Sequence, residues 1–132
     1  MAVTFSADGG IGTITLDRPP VNSYDLEYVR ELEAAVEDDG TVTALRMKVT
    51  ANIGAYPVFT FIPDLTLFMG VGVYKFTTVD LQSTCVFTNT TTVAAYRGAA
   101  RPEAAYYLER LLDIIAAELE LPPEQVRRKD FN

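Results

Sequence analysis

The chain has 132 residues, no histidine and a single cysteine, Cys85. The first absence removes Ser-His-Asp and Cys-His catalysis, imidazole acid–base chemistry and histidine metal ligation together. The second excludes an internal disulfide and any thiolate cluster for zinc or iron–sulfur, and leaves Cys85 as an expected buried structural thiol on a strand. A basic excess is also missing. Eleven Lys and Arg stand against 18 Asp and Glu, net −7, with no basic stripe, which argues against nucleic acid as a partner. The N-terminus carries neither a basic n-region nor an apolar h-region, so no secretory signal and a cytoplasmic setting are expected. Internal repeats and low-complexity segments are absent.

Long apolar runs are scarce. Residues 51–74 come nearest, with Asp64 as their one charge before Lys75. Asp64 in mid-stretch would cost about 2.5–3.5 kcal/mol to insert, and Pro57, Pro63 and three glycines break the run. The segment therefore reads as a buried loop with a short helix, not a membrane span. Without its natural cover it would become an exposed apolar patch and an association site.

What is present is a globular composition, 48% hydrophobic and 22% charged, of one domain's length. The charge is uneven: residues 1–40 hold nine acids and two bases, whereas residues 41–132 hold nine of each. The patterning predicts an α+β fold. Alternating residues 2–7 and 11–16 flank Asp8-Gly9-Gly10 as a hairpin. A helix capped by Asn22 or Ser23 is expected next, carrying Leu26, Val29, Leu32 and Val36 and ending at Asp38-Asp39-Gly40. Strands are expected over 41–51 and 78–88, then a long amphipathic helix with Leu108, Leu111, Leu112, Ile115 and Leu119 on its core face. Pro122-Pro123 ends it and opens a short helix, Pro123–Arg128. Arg127, Arg128 and Lys129 read as a solvated, dipole-matched face.

The stretch with the most chemistry is Ala95-Tyr96-Arg97-Gly98-Ala99-Ala100-Arg101-Pro102-Glu103. It brings two guanidinium groups, a glycine and several amides to a helix N-terminus, an arrangement that suits an anion. The same residues also fit an ordinary solvated loop ahead of a helix. Catalytic side chains and metal ligands are not expected here.

From Thr88-Asn89-Thr90 through AYRGAARPEA and the helix beyond, the sequence resembles the large subunit of molybdenum hydroxylases, the xanthine dehydrogenase, aldehyde oxidase and carbon monoxide dehydrogenase-type family. The segment TVTALRMKVTANIGAY extends the likeness upstream, so it covers about residues 39–132. The resemblance implies a molybdopterin cofactor beside Tyr96, Arg97, Gly98, Ala99 and Arg101, and partner subunits carrying iron–sulfur and flavin groups. Two departures stand out. Ala100 replaces a second glycine, which makes positive φ costlier there, and no loop thiol is present for carbon monoxide oxidation. Residues 3–37 in turn resemble the opening hairpin and helix of crotonases, the enoyl-CoA hydratase and isomerase family.

These resemblances divide the chain into 1–38, crotonase-like, and 39–132, part of a molybdopterin-binding domain. The family's glutamate base and other cofactor loops have no counterpart in the chain, so it is expected not to turn over alone. Two alternatives are a crotonase-like acyl-CoA binder and a non-enzymatic association domain, in which open strand edges promote self-association.

Overall fold

A computed structural model describes the backbone of residues 2–8, 11–17 and 27–131, and side chains from Leu32 onward. Five strands form one sheet in sequence order: β1 (Ala2–Asp8), β2 (Ile11–Asp17), β3 (Glu27–Val36), β4 (Val42–Asn52) and β5 (Thr78–Val86). Three helices accompany it: α1 (Ile62–Phe68), α2 (Arg101–Glu118) and α3 (Pro123–Lys129). The α+β arrangement, the first hairpin, both later strands and the three helices after residue 60 agree with the sequence reading.

One element differs. Residues 27–36 form a strand where the sequence predicts a helix, and the proposed caps Asn22 and Ser23 lie outside the described residues. Glu, Leu and Ala give this segment helical propensity. It also alternates, and pairing overrides the propensity: β3 lies antiparallel between β2 and β4, with Leu32 opposite both Ile14 and Met47. Leu32 and Ala34 are buried, while Glu33 between them points away and pairs with Arg46. A helix would have left the edge of β4 without these backbone partners.

The next strand, β4, lies between β3 and β5 and carries most of the sheet's buried side chains. Leu45, Met47, Val49 and Ala51 face the core at a period of two, and Arg46, Lys48 and Thr50 face away. β5 runs parallel to β4, from Ala44 opposite Thr78 to Asn52 opposite Val86. A parallel pair needs a crossover, and residues 53–77 with α1 supply it. α2 lays Leu108, Leu111, Leu112 and Ile115 on the buried face of the sheet, with Val126 of α3 closing one end. No helix among the described residues is long and apolar enough to cross a membrane.

The C-terminal basic trio is more committed than the sequence suggests. Arg127 donates to Glu109 and Asp113 of α2 at 2.7 and 2.8 Å, and Lys129 pairs with Asp39 at 2.6 Å. Arg128 is left exposed. These contacts fasten α3 to α2 and to the turn before β4. Cys85 lies on strand β5 as expected but is half-buried, not buried, and its thiol donates to the Thr60 carbonyl at 3.3 Å.

Candidate functional site at the entry to α2

The chain leaves β5 and is pinned at once to the end of β4. Thr88 Oγ1 donates to Asn52 Oδ1 at 2.6 Å, and the Asn52 amide reaches Thr90 Oγ1 at 3.4 Å. Asn52 Oδ1 also accepts from the Gly54 amide at 2.9 Å. Backbone bonds continue the seam, from Ala55 N–H to Thr90 O and from Thr88 N–H to Gly54 O, both 3.1 Å. Gly54 is required here twice over: its φ is +77°, and a Cβ would meet Thr91 O at 2.4 Å. The Thr88-Asn89-Thr90 stretch is thus a structural clasp that sets where the following loop runs.

That loop crosses the end of the sheet and turns into α2. Ala99 N–H bonds to Tyr96 O at 2.9 Å and Arg101 N–H to Gly98 O at 3.1 Å. These turns do not use the amides of Gly98 and Ala100. Gly98 has φ +83°, and a Cβ there would meet nothing within 4 Å, so its backbone faces open space. Ala100, the N-cap, is fully buried at φ +77°. The alanine that departs from the family pattern therefore does occupy the left-handed region, at a cost of roughly 1–2 kcal/mol for a residue with a Cβ. α2 has no side-chain cap, Pro102 sits in its first turn, and Glu103 is the first-turn acid.

A cavity of about 610 Å³ opens between this loop, the end of β4 and α1. Ile53, Phe59, Ile62, Pro63 and Val93 give it apolar walls, and Asn52, Tyr96, Arg97 and Glu103 are its side chains with polar atoms. Asn52 is spent on the clasp. Arg97 is exposed and forms no ion pair among the described residues. Glu103 Oε2 is buried without a hydrogen-bond partner. Tyr96, Gly98 and Ala99 also line the cavity, so the structure brings together four of the five residues singled out in the sequence. Arg101 is exposed on the first turn of α2 and is absent from the lining. The sequence reading missed Asn52 and Gly54; the only signal for either was the distant NIGAY segment. Glu103 was visible only as the last residue of the Ala95–Glu103 stretch, and its lack of a partner was not. No group of His, Cys, Asp and Glu among the described residues could hold a metal ion.

Comparison with known proteins decides the family. Residues 24–131 match the model of the molybdopterin cofactor-binding domain. The chain belongs to this family. It is 32% identical over 111 residues to the gamma subunit of the 6-hydroxypseudooxynicotine dehydrogenase complex of Paenarthrobacter nicotinovorans. It is 30% identical over 114 residues to the carbon monoxide dehydrogenase large chain of Hydrogenophaga pseudoflava. Each alignment takes in 83% of this chain but 14% of the relative. Among solved structures, quinoline 2-oxidoreductase from Pseudomonas putida 86 superposes with a TM-score of 0.70 at 30% identity, over 76% of this chain and 13% of that one. The molybdopterin-binding family member therefore spans only a small part of the enzymes it matches. The family match begins at residue 24 and includes β3, and the comparisons give no support to the crotonase resemblance of residues 3–37.

Proposed function

We propose that the cavity at the entry to α2 is this chain's share of a molybdopterin site in an oxidoreductase that hydroxylates aldehydes or N-heterocycles. Tyr96, Arg97, Gly98 and Ala99 would form its wall, with Arg101 as a second cation on the adjoining turn. The observation that carries the reading is the uncommitted Arg97 guanidinium at an apolar cavity beside the open backbone of Gly98. An anionic pterin needs a cationic fork, free amides and a flat apolar surface, and these residues supply all three. When bound, such a group supplies two-electron oxidation with oxygen transfer to carbon. The chain's own contribution is to bind and orient: Arg97 holds the anionic end, and Phe59 and Ile62 exclude water from the ring.

Other parts of the same reading are set by resemblance. Iron–sulfur and flavin subunits are the expected electron-transfer partners, and the cytoplasm the setting. Residues 39–132 carry the cofactor wall, with residues 1–38 adding strands to the same sheet. The glutamate base of the family has no counterpart here, so the chain alone should not turn over.

The test uses released molybdopterin and reads its oxidised pterin fluorescence after gel filtration. The wild-type chain should retain the pterin, and Arg97→Ala should lose about 1.5–3 kcal/mol of binding, the worth of a charge-assisted hydrogen bond. No retention by the wild type would sink the proposal. Steady aldehyde oxidation by the chain alone would overturn its incompleteness.

A second reading, association, is favoured by a separate observation. Phe68 is 78% exposed, Val73 55% and Phe87 62%, and they lie on the crossover and just beyond β5, the last strand of the sheet. Self-association of the isolated chain is the expected consequence, and a clean monomer by light scattering at high concentration would count against it.

A further inference from the structure

Glu103 Oε2 is a buried side-chain oxygen without a partner, and it lines the same cavity as Arg97 and Gly98. A carboxylate only accepts hydrogen bonds, and a buried acceptor without a donor is costly. Local donors do not serve it. Glu103 is the third residue of α2, from which a side chain often reaches back to the N-cap amide, here that of Ala100. With Ala100 held in the left-handed region, Oε2 makes no such bond. Arg97 shares the cavity and forms no ion pair with Glu103 among the described residues, and the Asn52 amide donates to Thr90, not to Glu103. Apart from the exposed Tyr96, the remaining side chains of the wall, Ile53, Phe59, Ile62 and Val93 among them, are apolar.

Oε2 is thus an open acceptor for a donor that a ligand can bring, between largely apolar walls and in the same cavity as a guanidinium. We propose that Glu103 is a ligand-binding residue that accepts N–H donors from the aminopyrimidinone edge of a bound pterin, while Arg97 takes its anionic end. The inference rests on the cofactor reading of the cavity and adds the residue that sets which way round the ring lies. The ring amino group and the adjacent ring N–H point the same way, which suits a carboxylate, and such charge-assisted bonds are strong in a dry site. An acid left unpaired in the free chain is a stability cost of the kind found where binding, not folding, selects the residue.

The test is a titration of the 132-residue chain with pterin-6-carboxylate and with 1,3-dimethyllumazine-6-carboxylate, followed by ligand fluorescence. The second probe keeps the fused ring and the carboxylate but has no N–H donor. Wild type should prefer the pterin by about tenfold or more. Glu103→Leu should erase that preference while leaving affinity for the dimethylated probe within about twofold, and Glu103→Gln, which keeps one acceptor, should retain a reduced preference. Without ligand, both variants should melt at or above the wild-type temperature. Equal affinity for both probes in the wild type, or a preference that survives Glu103→Leu, overturns the role of Glu103 and leaves the cavity reading standing. A ligand-free Glu103→Gln that melts well below wild type reveals a structural partner for the carboxylate and overturns it too. Binding of neither probe removes both the inference and the cofactor reading beneath it.

Discussion

Arg127 Nε lies 2.7 Å from Glu109 Oε2, and the same guanidinium reaches Asp113 Oδ1 at 2.8 Å and the Glu109 carbonyl at 3.2 Å. Tyr74 closes the cluster, donating its hydroxyl to Glu109 Oε1 at 2.8 Å. Burial works against the charge on Arg127, but the hydrogen bonds it donates to Asp113 and Glu109 outweigh it and raise its pKa further. Burial, reinforced by the Glu109 carboxylate, pushes the Tyr74 phenol up to about 12. One fork thus ties α3 and the crossover to α2.

Removing that fork should loosen the C-terminal third. Arg127→Ala is expected to cost about 1–2 kcal/mol in urea unfolding, a value kept low because Glu109 and Asp113 are half-exposed and screened. Arg127→Lys should recover only part of it, since an ammonium cannot present the planar fork to both carboxylates. Cofactor binding, on the far end of α2, should be unaffected.

The clasp should be less forgiving. Gly54→Ala places a Cβ 2.4 Å from the Thr91 carbonyl and forces an alanine to φ +77°. A loss of about 2 kcal/mol or more is expected, from strain plus displacement of backbone. Proteolysis between β5 and α2 should accelerate in step, which a limited-digestion time course would show. Asn52→Ala should do the same in weaker form, through the loss of its bonds to Thr88 and Gly54.

At Ala100 opposing effects decide the outcome. Ala100→Gly relieves about 1–2 kcal/mol of left-handed strain, offset by the greater chain entropy of glycine and the loss of a buried methyl. It should fall within about 1 kcal/mol of wild type. Ala100→Val gains nothing and adds bulk at a fully buried site, so a loss of about 2 kcal/mol or more is expected in thermal unfolding.

Two acids should shape the acid limb in opposite senses. Asp39, hydrogen-bonded by Lys129 and Thr41, is held down from 3.8 to about 2. Its folded pKa is lower than the unfolded one, so its contribution is present above 3.8 and lost as pH falls toward 2. Asp130 is raised above 3.8, chiefly by burial, although the Val42 amide donates to it at 3.0 Å. Its native state takes up the proton first, so stability gains as pH falls toward 3.8 from above. Asp130→Asn should keep the Val42 bond and flatten that gain, whereas Asp39→Asn should flatten the loss below 3.8. Denaturation midpoints between pH 2 and 7 would separate the two.

Local pattern was enough for much of this molecule. The period-two alternation of residues 42–52 dictates a half-buried strand, and Pro102 with the spacing of Leu108, Leu111, Leu112 and Ile115 dictates a core-facing helix. The AYRGA run pointed to an anion-suited loop through the backbone freedom of glycine and the forks of arginine, which are properties of single residues, and to the cofactor class only through its resemblance to the molybdenum hydroxylases. Long-range pairing decided the rest. Residues 27–36 have helical propensity and strand alternation at once, and only the edges of β2 and β4 select the strand. The same holds for Arg127, whose partners lie 14 and 18 residues away, and for the clasp from Asn52 to Thr88. A residue's chemistry is written at its own position. Whether that chemistry is satisfied, as at Arg127, or left waiting, as at Glu103, depends on what the folded chain brings within 3 Å of it.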